Sequence, residues 1–388
     1  MNREQEAEHM TREHYLDNSA TTPVLPEAAA EALRLMTDCW GNPSSLHSRG
    51  FWAKKELDAA RATVARRLGA APEEIIFTSG GTEANNMALL GAAAARRRLG
   101  NKIVTTAVEH DSVLQASKEL EAQGFQVVRI PPDKAGLVRP QDLEAAIDES
   151  TILVSLMLVN NETGTLLPVR EAAQLIKRGR APALLHTDCV QAFCKMDFTP
   201  QRLGADLCTV SAHKIHGPKG VGALYVKRGT RILPRVFGGG QERGLRSGTE
   251  SLPLIGAFAK AVELSPRPAA LLPSMRTLRE TLLTLLGDIP EIVVNSPEEG
   301  LPYILNLSAV GVRAETMLHF LAQRGISVSS GSACGKGAPS HVLAAMGLPK
   351  ERAASALRVS LSRFTTEEDL AALAQGLRAG LDSLAKER

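Results

Sequence analysis

The sequence predicts an α/β protein, a mostly parallel sheet flanked by helices with a smaller α+β unit attached. Two observations carry this. Between about residue 55 and residue 230, short continuous apolar runs alternate with longer amphipathic stretches. That alternation is expected of buried parallel strands joined by helical crossovers. After Gly238-Gly239-Gly240 the alternation stops, and a helix-rich stretch with a few scattered strand candidates follows.

Taken in order, an amphipathic stretch from Lys54 to Leu68 leads into the apolar run Glu74-Ile75-Ile76-Phe77-Thr78. A helix from Glu83 to Leu99 precedes a strand over Ile103 to Val108, and a helix from Ser112 to Gln123 precedes a strand over Phe125 to Ile130. Helices from Gln141 to Ile147 and from Arg170 to Lys177 flank the strongest apolar run, Thr151 to Val159. Ala183 to His186, Leu207 to Val210 and Gly222 to Val226 complete seven strand candidates. The last two lie so close together that part of the sheet is expected to be antiparallel. In the second unit Ile292 to Val294, Ile304 to Leu307 and Ile326 to Val328 read as strands, and Ala356 to Ser360 alternates like one.

Composition narrows the function classes. A net charge of +3 over 388 residues gives no electrostatic case for nucleic acid or a membrane surface as the main partner. No apolar stretch approaches a membrane span. Residues 1–13 are charged and without an apolar run, so they read as a solvated extension rather than a secretory signal. Five cysteines without CxxC or zinc-type spacing argue for neither a disulfide framework nor a metal site, and the expected compartment is a reducing cytoplasm.

The chemistry gathers at the carboxyl ends of the predicted strands, where open α/β sheets bind ligands. Ser79-Gly80-Gly81-Thr82, Glu109-His110, Asn160-Asn161-Glu162, Thr187-Asp188 and Ser211-Ala212-His213-Lys214 stand at five of these ends. Ser79-Gly80-Gly81-Thr82 joins a strand to a helix, so its backbone N–H groups can cup a phosphate; it equally fits a plain turn capped by Thr82. It is neither a dinucleotide fingerprint nor a P-loop. Lys214, desolvated beyond a buried strand, is a candidate Schiff-base amine, and Asp188 a candidate partner for a pyridinium nitrogen. Either alone also fits a surface or capping residue. Lysine, aspartate and phosphate cup together form the three-point grip that pyridoxal phosphate needs. His110 can stack on a planar cofactor and move protons, or simply cap the next helix. Asn161 and Gln191 are amides near the same edge.

Cys334 lies among glycines and serines, in Ser329-Ser330-Gly331-Ser332-Ala333-Cys334-Gly335-Lys336-Gly337, where an exposed thiol and a nearby lysine suit a reactive thiolate. Cys39, Cys189, Cys194 and Cys208 sit in or beside apolar segments and are assigned to packing. Arg358, on the alternating run, can clamp a carboxylate.

Together these motifs resemble the cysteine desulfurases, the NifS/IscS-like branch of the class V aminotransferases. The resemblance rests on Tyr15 to Pro23, Gly41 to Ser45, Phe77 to Glu83, Val159 to Gly164, Ser211 to Lys214, Arg243 to Thr249, Ser330 to Cys334 and Leu357 to Thr365, and covers nearly the whole chain after residue 14. It implies the fold type I architecture of pyridoxal-phosphate enzymes, with a large domain over 26–255 and a small domain from 14–25 and 256–388. It implies that Lys214 carries the cofactor, Asp188 faces the pyridine nitrogen, His110 stacks on the ring, and Gln191 and Asn161 sit near the ring hydroxyl. Gly81, Thr82, Ser211 and His213 would hold the phosphate, and Thr249 would reach the phosphate of a second subunit in a homodimer. Arg358, with Asn161, would bind the carboxylate of L-cysteine. Cys334 would take the sulfur as a persulfide and pass it to an acceptor protein of iron–sulfur assembly or tRNA thiolation. One departure stands out: only Gly335 to Ala338 separate Cys334 from Pro339, a shorter connection than is usual in that branch. Selenocysteine lyase, another class V aminotransferase or lyase, and a catalytically silent sulfur carrier or scaffold are the alternatives.

Overall fold

The computed structural model of the protein describes residues 13–330 and 340–384. The chain opens with β1 (His14–Tyr15), α1 (Pro26–Thr37) and α2 (Ser48–Leu68). Helix α2 begins earlier than its periodicity predicts, because the His47 side chain caps it by accepting from the Gly50 N–H. It stops at Gly69, whose φ of 64° lies in the left-handed region that glycine enters without steric cost.

The alternating region then follows: β2 (Ile75–Thr78), α3 (Gly81–Arg96), β3 (Lys102–Thr106), α4 (Asp111–Ala122), β4 (Gln126–Ile130), α5 (Pro140–Ala146), β5 (Thr151–Met157), α6 (Val169–Arg178), β6 (Leu184–Asp188), β7 (Leu207–Ser211) and β8 (Gly222–Val226). Its seven strands form one sheet in the order β2-β8-β7-β6-β5-β3-β4. All adjacent pairs are parallel except those of β8, which runs antiparallel to both β2 and β7. The expectation of an antiparallel part is met there. Every residue of β2, β5, β6, β7 and β8 is buried, which is why these strands read as continuous apolar runs rather than alternating ones. Each fully buried Leu, Ile or Val contributes roughly 1.5–3 kcal/mol relative to exposure. The strand predicted to reach Val159 ends at Met157, and Val159 forms an isolated bridge with Leu166 instead.

Beyond the glycine break come α7 (Leu252–Glu263), α8 (Pro268–Leu286), β9 (Ile292–Val294), β10 (Ile304–Ala309), α9 (Ala314–Ala322), β11 (Ile326–Ser327), β12 (Ala356–Ser360) and α10 (Glu367–Ser383). Strands β12, β10 and β9 form an antiparallel sheet. Strand β1 pairs in parallel with β11, which brings the start of the chain against its last third. His14 Nδ1 lies 2.9 Å from Asp369 Oδ1 on α10 and reinforces that closure. Among the described residues no helix is long and apolar enough to cross a membrane.

Candidate active site

The site lies at the carboxyl edge of the seven-stranded sheet, and its geometry begins with strand register. Gly222 pairs with Thr78 on one side and Ser211 on the other. A Cβ at Gly222 would lie 2.9 Å from the backbone of Gly80 and 2.7 Å from Val210 O. Only glycine therefore lets the turn at 79–81 rest on β8, with the first turn of α3 beside the end of β7. The leading N–H groups of α3 have no intrahelical acceptor. Ser211 ends β7, and its Oγ is buried with no partner. An unspent hydroxyl beside a helix N-terminus suits an anionic group.

Lys214 follows Ser211 in a single 3₁₀ turn, Ala212–Lys214. Its Nζ donates to Ser19 O at 2.5 Å and to Ala20 O at 2.7 Å. Burial, with Arg358 and Lys195 nearby, brings this amine down to about 7. Its hydrogen bonds among the described residues go to carbonyls, and burial with the two cations outweighs the pull of the Asp17 and Asp188 carboxylates, so about half is the uncharged amine near pH 7. His213 is likewise carried down to about 3, by burial and then by the adjacent Lys214.

Asp188 ends β6, paired with Met157 of β5 and Thr209 of β7. Its Oδ1 accepts from Val190 N at 2.9 Å and its Oδ2 from Asn85 Nδ2 at 2.7 Å. Gln191 donates through Nε2 to Ser19 O at 3.0 Å, so it shares a carbonyl with Lys214. Its Oε1 accepts from Lys195 at 3.2 Å. The Lys195 amine, also buried, is brought down to about 8 by desolvation. His110 is exposed and caps α4, with Nδ1 3.1 Å from Ser112 N and 2.8 Å from Ser112 Oγ.

Arg358 on β12 is only 2% exposed. Its Nη2 donates to Asp17 Oδ1 at 2.8 Å and its Nη1 to Asn161 O at 3.1 Å, while its Nε is buried without a hydrogen-bond partner among the described residues. Backbone bonds tie Arg358 to Ser329, from Arg358 N to Ser329 O at 2.6 Å and from Ser329 N to Arg358 O at 3.2 Å. Cys334 lies outside the described residues. The far flank of its segment also returns to the sheet edge: Ser340 Oγ donates to the buried Glu162 carboxylate, and His341 Nε2 donates to Glu109 O at 2.9 Å.

The structure thus brings Lys214, His213, Asp188, Gln191, Asn161, Arg358 and Ser211 to one edge. His110 joins them through side chains. Thr82 and Thr249 are exposed. Of the thiols assigned to packing, Cys189, Cys194 and Cys208 are buried and Cys39 is partly so. Sequence reasoning gave no role to Asp17, to the carbonyls of Ser19 and Ala20, to Asn85 and Ser112, or to Gly222. The first three do fall within Tyr15 to Pro23, a stretch that carries the family resemblance, and that was the one available signal.

The buried orphan at Ser211, the Lys214 amine brought down to about 7 and the fixed Asp188 carboxylate fit the phosphate, aldehyde and ring nitrogen of pyridoxal phosphate respectively.

Comparison with known proteins agrees with this geometry. The family model for class-V aminotransferases matches residues 14–373. The cysteine desulfurase IscS of Clostridium botulinum (strain Kyoto / Type A2) is 43% identical over 374 residues, 93% of this chain and 92% of that protein. The cysteine desulfurase IscS of Methanosarcina thermophila is 42% identical over 94% of this chain and 92% of its own length. Among solved structures, a NifS-like protein superposes with a TM-score of 0.91 at 37% identity, covering 96% of this chain and all of that one. A structure described as SspA in complex with cysteine superposes with a TM-score of 0.80 at 34% identity, over 91% of this chain and 99% of that one.

Proposed function

From the premise that this chain belongs to the class-V aminotransferase family, a family of pyridoxal-phosphate enzymes, we propose that it is a cysteine desulfurase. It converts L-cysteine to L-alanine and leaves the sulfur as a persulfide on Cys334. The balance is closed: one thiol and one cysteine give one persulfide and one alanine, with no external oxidant or reductant. The observation that carries the reading is the Lys214 amine, buried, brought to about 7, and hydrogen-bonded among the described residues to two carbonyls.

Pyridoxal phosphate, when bound, draws electron density from the bonds at the substrate α-carbon. The chain's residues do the rest. Ser211, His213 and the backbone of Gly81 and Thr82 take the phosphate. Asp188, held by Asn85 and Val190, would offer a carboxylate to the pyridine nitrogen, and Gln191 and Asn161 would serve the ring hydroxyl. Lys214, uncharged, is both the covalent anchor and the base at the α-proton. Arg358, with Asn161, holds the substrate carboxylate; its orphaned Nε leaves it a donor in hand. His110 moves a proton near the substrate sulfur, and the Cys334 thiolate takes that sulfur. The anchoring of Ser329 and Ser340 at this edge supports Cys334 reaching it.

The same reading makes the protein a cytoplasmic homodimer whose exposed Thr249 completes the partner's phosphate site. The exposed Trp40, Leu46, Phe51 and Trp52 support an apolar contact between copies. It divides the chain into a large domain over 26–255 and a small one from 14–25 and 256–388, and it hands sulfur to an acceptor protein.

The test is the visible spectrum of the purified protein before and after L-cysteine, with alanine and sulfide assayed under a dithiol reductant. The expected result is a cofactor band that changes on cysteine addition with equal alanine and sulfide released. A changing band without sulfide release refutes the desulfurase reading.

A further inference from the structure

Asp188 ends β6 and His110 caps α4 just beyond β3, and one chain of side chains joins them. Asn85 on α3 is 1% exposed, and its Nδ2 reaches both Asp188 Oδ2 at 2.7 Å and Ser112 Oγ at 2.8 Å. Ser112 Oγ lies 2.8 Å from His110 Nδ1, and the Ser112 N–H donates to the same nitrogen at 3.1 Å.

Donor and acceptor capacities fix the direction of every bond along this chain. The Asp188 carboxylate only accepts, so the amide nitrogen of Asn85 faces it. The second hydrogen of that nitrogen points at Ser112 Oγ. Ser112, having accepted there, has its own hydrogen left for His110 Nδ1. The Ser112 backbone N–H also points at Nδ1. With two donors aimed at it, Nδ1 is a bare acceptor, and the proton of the neutral ring sits on Nε2. Asn85 Oδ1 is buried without a partner, so nothing pulls the amide into the opposite orientation.

We propose that Asn85 and Ser112 are positioning residues that transmit the charge of Asp188 to His110, hold the imidazole in its Nε2–H tautomer, and so make it a donor toward the site. The tautomer stands on the hydrogen bonds alone. Its use toward the substrate sulfur rests on the desulfurase reading above. A donor at Nε2 supplies a proton to a leaving or transferring sulfur; a bare Nε2 would instead remove one.

Long-range ¹H–¹⁵N correlation spectra of the holoenzyme labelled at histidine nitrogens test the tautomer directly, with His110 assigned by its loss in His110→Gln. The wild type is expected to show an unprotonated Nδ1 and a protonated Nε2. Ser112→Ala, which keeps the helix and the backbone N–H, is expected to move the Nδ1 signal toward the protonated position, and Ser112→Thr to restore it. A protonated Nδ1 in the wild type overturns the proposal. So does an unchanged His110 spectrum in Ser112→Ala, since the backbone N–H alone would then set the tautomer. These outcomes are independent of whether alanine and sulfide are released.

Discussion

The two edges of the seven-stranded sheet both carry polar groups and put them to opposite use. At the amino edge, Lys102 begins β3 and meets the Asp148 carboxylate; Asp206 accepts from Leu185 N at 3.0 Å and from Lys227 Nζ at 3.2 Å; Glu74 accepts from Arg228 N at 2.9 Å. Each charge there has an opposite charge or a backbone donor. The Lys102 ammonium holds Asp148 well below the usual carboxylate range. At the carboxyl edge, among the described residues, Lys214 donates to carbonyls and not to a carboxylate, Ser211 Oγ and Arg358 Nε have no hydrogen-bond partner, and the fully buried Glu109, although it accepts from Thr106 Oγ1 and Met157 N, is pushed up to about 8 by desolvation. Polar content does not separate a site from a scaffold; unfinished pairing under burial does.

The sharpest way to break this contrast is to remove one lysine from each edge. Lys214→Ala should lower cysteine turnover by about 10³-fold or more and abolish the covalent attachment of the cofactor, measured by absorbance after borohydride reduction and denaturation. Next in size is Arg358→Lys, which keeps the charge and loses the planar fork. It should raise KM for cysteine by about tenfold, with a smaller change in kcat, in steady-state kinetics.

Glu109 gives a subtler test. Its folded pKa of about 8 lies above the ordinary glutamate value of 4.5, so the folded state holds a proton that the unfolded chain has released across that interval. Its contribution is therefore present at low pH and is lost as pH rises through 8. Glu109→Gln should remove a slope of up to about 1.4 kcal/mol per pH unit from the stability curve, measured by urea unfolding between pH 5.5 and 8.5. The smallest effect belongs to Lys102→Ala at the opposite edge, with unchanged turnover and a loss of about 1 kcal/mol or less, weakened further by salt.

The same contrast explains what the sequence could and could not reveal. Continuous apolar runs announced β3, β6 and β7, and the residues at or just beyond their ends announced His110, Asp188 and Lys214. Periodicity reports which faces are buried, but not the strand order, in which four strands stand between β2 and β3. Asn85 meets an aspartate 103 positions away and Asp17 meets an arginine 341 positions away. Such pairings leave no local trace, because neither partner has unusual neighbours. The carbonyls of Ser19 and Ala20 are still less legible, since every residue has a carbonyl and only the fold selects these two. Gly222 looks like an ordinary strand start until the turn at Gly80 is laid against it.

On the proposed reading Cys334 receives the sulfur of L-cysteine. The most direct test is the intact mass of the purified holoenzyme after brief exposure to L-cysteine without reductant, followed by peptide mapping. The account predicts a gain of one sulfur atom, located on the peptide that contains Cys334, lost on adding dithiol and absent in Cys334→Ala. A wild-type mass that stays unchanged while alanine accumulates, or sulfur mapped to Cys39 instead, would contradict it.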